Sequence, residues 1–112
     1  MLVFFLTLLL VAGGVDNNVT DCLNASGQPT RTLHEGDHFA VLGSGFGQPA
    51  GSVVLGWYPD AVLTWTDTRV DAVAGAVAPG MHSGLAPLVV HHADGSLSVS
   101  PFKVEIISNT VP

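Results

Sequence analysis

The segment His34-Glu35-Gly36-Asp37-His38 has the spacing H-E-x-x-H, in which two imidazoles hold a zinc ion and the glutamate activates its bound water. A zinc-dependent hydrolase acting through His34, Glu35 and His38 is therefore one chemistry to weigh. It requires a helix, because a helical turn is what brings residues four apart onto one face. This copy has glycine at its centre and β-prone sequence on both sides. The segment reads instead as a polar turn between two strands, with Gly36 supplying a permissive backbone angle. His91-His92 offers another imidazole pair, but neighbours on a strand point to opposite faces and cannot both reach one ion. No metal site is expected. Leu42-Gly43-Ser44-Gly45-Phe46-Gly47 does not fit G-x-G-x-x-G and precedes no helical pattern, so it forms no phosphate cradle. Ser44, Ser83 and Ser96 lack a G-x-S-x-G elbow. Neither a cofactor nor an enzymatic activity is expected. The remaining candidates are Trp57, Tyr58 and Trp65, whose flat faces could stack on sugar rings in a small carbohydrate-binding module. The competing role for Trp65 is core packing, since small domains rely on aromatic rings for buried area.

The elements that must position these residues are strands. After Gly14 no segment keeps a 3.6-residue apolar period for three turns, and Gly or Pro interrupts nearly every window of ten. Short β-rich runs recur at a spacing suited to a sandwich. They predict strands over 30–33, 38–42, 52–57, 62–65, 69–74, 85–92 and 97–107. Asp94-Gly95 suits a tight hairpin between the last two. In the final strand, Leu97 and Val99 share one parity while Phe102, Val104 and Ile106 share the other. Burying all five requires a phase slip, and Pro101 marks the place for a bulge at Ser100-Pro101. Expected core residues are Phe39, Val41, Phe46, Val53, Leu55, Trp65, Val70, Leu88, Val90, Phe102 and Val104.

At 112 residues the chain has room for one domain. Net charge is −6, and Arg31, Arg69 and Lys103 are its only strong bases. Three scattered cations cannot neutralise a run of phosphates, so nucleic acid and anionic membrane surfaces are disfavoured partners. Met1 to Val11 is nearly all apolar and is followed by Ala12-Gly13-Gly14. That run is shorter than the roughly 20 residues of a spanning helix, so residues 1–14 read as a signal peptide and the protein as secreted or cell-surface. Residues 15–27 read as a flexible polar tail, residues 28–107 as the sandwich, and 108–112 as a C-terminal tail. Asn18-Val19-Thr20 and Asn24-Ala25-Ser26 match the N-glycosylation acceptor pattern. Cys22 is the single cysteine, which excludes an internal disulfide and leaves a partner on another chain or a free thiol in the tail. Asp21 before it is a poor fit to a lipid-anchor cleavage site.

Five pieces in order carry a family resemblance: Gly43-Ser44-Gly45-Phe46-Gly47, Trp65-Thr66-Asp67-Thr68-Arg69-Val70, Ala78-Pro79-Gly80, Leu88-Val89-Val90 with Asp94-Gly95, and Phe102-Lys103-Val104. Over roughly residues 28 to 107 the chain resembles the IPT/TIG domains, of E-set type. The resemblance implies an all-β, immunoglobulin-like β-sandwich of about seven strands. It also implies a non-enzymatic module for protein interaction, adhesion or spacing, with a protein or glycan surface partner and possible further domains of a longer protein. IPT/TIG domains occur in surface receptors, beside extracellular carbohydrate-active enzymes and in DNA-binding factors. The acidic charge counts against the last setting.

Overall fold

The computed structural model describes residues 14–55, 58–75 and 84–107, with backbone alone at 58 and 59. Residues 1–13 of the expected signal peptide (1–14), Trp57, the 79–83 loop and residues 108–112 lie outside the described residues. The strands are β1 (Val15–Asp16), β2 (Val19–Asn24), β3 (Thr32–His34), β4 (His38–Gly43), β5 (Ser52–Leu55), β6 (Tyr58–Trp65), β7 (Arg69–Val73), β8 (Gly84–His91) and β9 (Leu97–Ile107). They run in the order β1-β9-β8-β5-β6-β7-β4-β2, and β3 also pairs with β9.

The sheet curls into two layers because β6 belongs to both. Its first residues pair with β5, through Val53 opposite Asp60, and its later ones with β7, through Ala61 opposite Val73. One layer holds β1, β3, β9, β8 and β5, and the other holds β7, β4 and β2. Between them lies a core that includes Val19, Cys22, Leu33, Phe39, Val41, Phe46, Val53, Val70, Leu88, Val90 and Val104. This is an all-β, immunoglobulin-like β-sandwich. Of the core residues expected from sequence, Trp65 and Phe102 are partly buried and packed against the cluster, and the others are buried.

Residues 15–27 are not a flexible tail. Val19 and Cys22 are fully buried, and β2 pairs with β4 along nearly its whole length. A bulge between Val19 and Asp21 puts two inward residues three apart instead of two. That break conceals the alternation which would otherwise mark a strand. The edge of β2 is closed by Arg31, whose Nη1 donates to Asp21 Oδ1 at 2.8 Å while its guanidinium lies 3.8 Å from the Phe102 ring centre.

The last strand departs from expectation in a second way. A bulge does sit at Ser100-Pro101, where residues 100–102 face Leu88 alone between the Val89–Val99 and Pro87–Lys103 pairs. Two extra residues preserve the phase, so no slip occurs. Ser98 and Ser100 point inward with Val104, and Leu97 and Val99 take the outer face, half-buried. The inward serines are tolerated because each is hydrogen-bonded. Ser98 Oγ lies 2.7 Å from His92 Nε2. Ser100 Oγ accepts from the Leu88 N–H at 2.9 Å and donates to the Phe102 carbonyl.

Candidate functional site

The glycine-rich turn after β4 and the Trp65–Thr68 turn after β6 are far apart in sequence and meet in the fold. Gly45 and Gly47 adopt positive φ, 68° and 72°, which turns their amides toward one point. The Asp67 carboxylate occupies that point, accepting from Gly47 N–H at 3.1 Å and from Gly45 N–H at 3.4 Å. The Phe46 N–H donates to the Asp67 carbonyl at 3.0 Å. Trp65 Nε1 donates to the Gly47 carbonyl at 2.7 Å, and its ring packs on Phe46 with centroids 6.2 Å apart. His92 closes the other side, with Nδ1 3.0 Å from the Phe46 carbonyl. A carbonyl only accepts, so Nδ1 donates there, and Nε2 lies within hydrogen-bond reach of Ser98 Oγ. These residues clamp two turns together across one end of the sandwich.

That arrangement places each sequence candidate. Trp65 is half-buried with its N–H engaged, a packing residue of the clamp. Trp57 lies outside the described residues, as does the side chain of Tyr58, so no three-ring platform can be assembled from the described residues. His34 ends β3, Glu35 and Gly36 form a turn, and His38 opens β4. Asp37 holds that turn: its Oδ2 accepts from the His34 N–H at 2.8 Å, and its own N–H donates to the His34 carbonyl. No helical face carries the two histidines, and among the described residues no three His, Cys, Asp or Glu side chains converge as metal ligands. Asn18 is exposed, whereas the side-chain carbonyl of Asn24 accepts from Ser26 and Gln28 N–H groups and shapes the turn after β2.

Two buried ionisable groups went unrecognised in the sequence. Asp60 stands where β6 changes layers and is 7% exposed. Its Oδ1 accepts from the Gly75 N–H at 2.7 Å, while Oδ2 has no partner among the described residues. Burial raises its carboxyl from 3.8 to about 7, against a smaller opposing effect of the Gly75 bond. Cys22 is likewise fully buried, and desolvation raises its thiol to about 11. A buried, protonated thiol is neither in a mobile tail nor presented to a cysteine on another chain.

The outer face of the β4–β7 layer carries an open groove of about 570 Å³. A bulge in β6 between Val62 and Thr64 turns both Leu63 and Thr64 outward, and Leu63 is 53% exposed. Thr64 Oγ1 donates to Asp71 Oδ2, and Arg69 donates through Nε and Nη2 to Asp71 Oδ1 at 3.1 and 3.0 Å. The Arg69 bonds hold the Asp71 carboxyl below the usual carboxylate range. His38 and the 24–27 turn complete the walls, and Ala40 lies at the floor. Sequence reasoning missed this groove because its residues come from four strands and share no motif.

No protein-family model matches this sequence, and no curated protein matches it. Among solved structures the chain is similar to the crystal structure of the gamma-CGTase of the alkalophilic Bacillus clarkii. Identity is 25%, the TM-score is 0.59, and the match covers 78% of this chain. The same match covers 12% of the gamma-CGTase chain, so this chain corresponds to a small part of that protein's length.

Proposed function

We propose that this chain is a secreted or cell-surface, non-enzymatic module of IPT/TIG type that binds or spaces, and that it works within an extracellular setting. The observation that carries this reading is the match of 78% of the chain to 12% of a gamma-CGTase, the proportion of an accessory module to a larger whole. The clamp supports the IPT/TIG assignment in particular. Two of the five motifs that carry the resemblance touch each other through Asp67 and Trp65. A fold hosts many functions, so the reading rests on placement and chemistry rather than architecture alone. A glycan partner is favoured over a nucleic acid by the −6 net charge and by the carbohydrate-active setting that the resemblance implies.

The test is to assay the full chain for turnover of peptide, ester and oligosaccharide substrates with and without zinc. Alongside, its retention on immobilised polysaccharides and glycoproteins is measured. The reading expects retention without turnover. Turnover that disappears in His34→Ala or His38→Ala would replace it with the hydrolase.

A further inference from the structure

The groove on the β4–β7 layer deepens the binding-module reading and rests on it. Three features distinguish it from an ordinary solvated sheet face. First, the β6 bulge re-aims two consecutive side chains to one side, setting an aliphatic group, Leu63, beside a hydroxyl, Thr64. Second, the floor between the raised walls is small: Ala40 is 2% exposed, with His38 and Asp71 around it. Third, the polar groups are grouped and electrically balanced. Arg69 and Asp71 neutralise each other, and among the described residues Arg69 Nη1 and Asn24 Nδ2 have no protein partner. The volume of about 570 Å³ lies within the roughly 300–1,000 Å³ of small-ligand sites.

These features select a ligand class. An anion gains little where Asp71 already offsets Arg69, and the net charge of −6 opposes its approach. A cation meets the reverse difficulty at Arg69. An extended peptide adding as a strand needs a sheet edge, and this groove lies on a face. A neutral ring with vicinal hydroxyls and an apolar C–H side meets every demand. We propose that this groove binds a segment of a neutral oligosaccharide, with Leu63 against the C–H face of a sugar ring and Asp71, Arg69 and Asn24 on its hydroxyls.

The experiment is amide chemical-shift mapping of the full chain with maltoheptaose and, separately, cellohexaose. The proposal expects saturable shifts at Ala40, Leu63, Thr64 and Asp71 with at least one probe. Asp71→Ala should weaken binding about tenfold or more, the loss of charge-assisted hydrogen bonds. Leu63→Ser, at an exposed position that leaves the fold intact, should weaken it severalfold. Lys103→Ala, on β9 of the other layer, should leave it unchanged. No shift up to the solubility limit of either probe overturns the proposal, as does equal binding by Leu63→Ser and the parent. Shifts elsewhere on the surface overturn the groove while leaving the binding-module reading intact, so the two fail separately.

Discussion

Replacing Asp60 by asparagine removes a charge the fold is poorly built to hold. The carboxyl is 7% exposed, makes one hydrogen bond to Gly75 and leaves Oδ2 without a partner among the described residues. Its raised value, about 7 against 3.8, means the folded protein holds this proton more tightly than the unfolded chain does. The stability that the group contributes is therefore fully present below pH 3.8 and is lost as pH rises through about 7. A difference of about three pH units at about 1.4 kcal/mol each amounts to roughly 4 kcal/mol, a large share of a small domain's stability. Asparagine keeps an acceptor for Gly75 but buries an unpaired amide, which costs about 1–3 kcal/mol. At pH 8 the variant should be more stable than the parent by roughly 1–3 kcal/mol, the remainder of those opposing figures. Near pH 4, where the parent keeps its full contribution, the variant should be the weaker by about 1–3 kcal/mol, the cost of the amide alone. Urea unfolding followed by tryptophan fluorescence at several pH values from 4 to 8 measures this, and comparing the two proteins cancels every other titrating group. A parent whose stability does not fall across that range relative to Asp60→Asn refutes the reasoning, as does a variant destabilised at pH 8.

Other consequences are read in the same way. Asp67→Ala should cost about 1–2 kcal/mol in thermal or urea unfolding, because the Gly45 and Gly47 amides lose their shared acceptor. Trp65→Phe keeps the contact with Phe46 but loses the bond to Gly47, so a loss of about 1 kcal/mol is expected, roughly 4–8 °C in Tm. Gly51→Ala would drive a methyl group into the His91 carbonyl oxygen of β8, and little soluble folded protein should be recovered. Cys22 should resist a thiol reagent in the native protein at neutral pH and react fully once the chain is unfolded in urea.

The strands β4, β5 and β8 are legible because their inward residues alternate without interruption. Phe39 and Val41, Val53 and Leu55, and Leu88 and Val90 are pairs two apart, and all six side chains are buried. The β2 strand is not legible, because its bulge separates Val19 from Cys22 by three, with the polar Thr20 and Asp21 between them. In β9 proline marks the bulge correctly, but the number of inserted residues decides the phase, and sequence does not carry that number. Inward serines at 98 and 100 look like solvent-facing residues until the partners of Ser98 and Ser100, His92 and Leu88, are placed across the hairpin. The glycine turn and the Trp65-Thr66-Asp67-Thr68 segment are visible as motifs, yet their contact depends on β6 crossing between layers. The groove depends on that crossing and on a bulge, so neither its shape nor its chemistry can be read along the chain.

Trp65 and the glycine-rich turn form an internal clamp, and the proposal that the β4–β7 groove, not the Trp65 ring, meets a glycan depends on that clamp. Hydrogen exchange at the Trp65 indole N–H, followed by NMR with and without oligosaccharide, tests it most directly. Slow exchange and a resonance unmoved by any glycan are predicted, since Nε1 is bonded to Gly47. Rapid exchange in the free protein, or a large shift of that resonance on glycan binding, would contradict the claim.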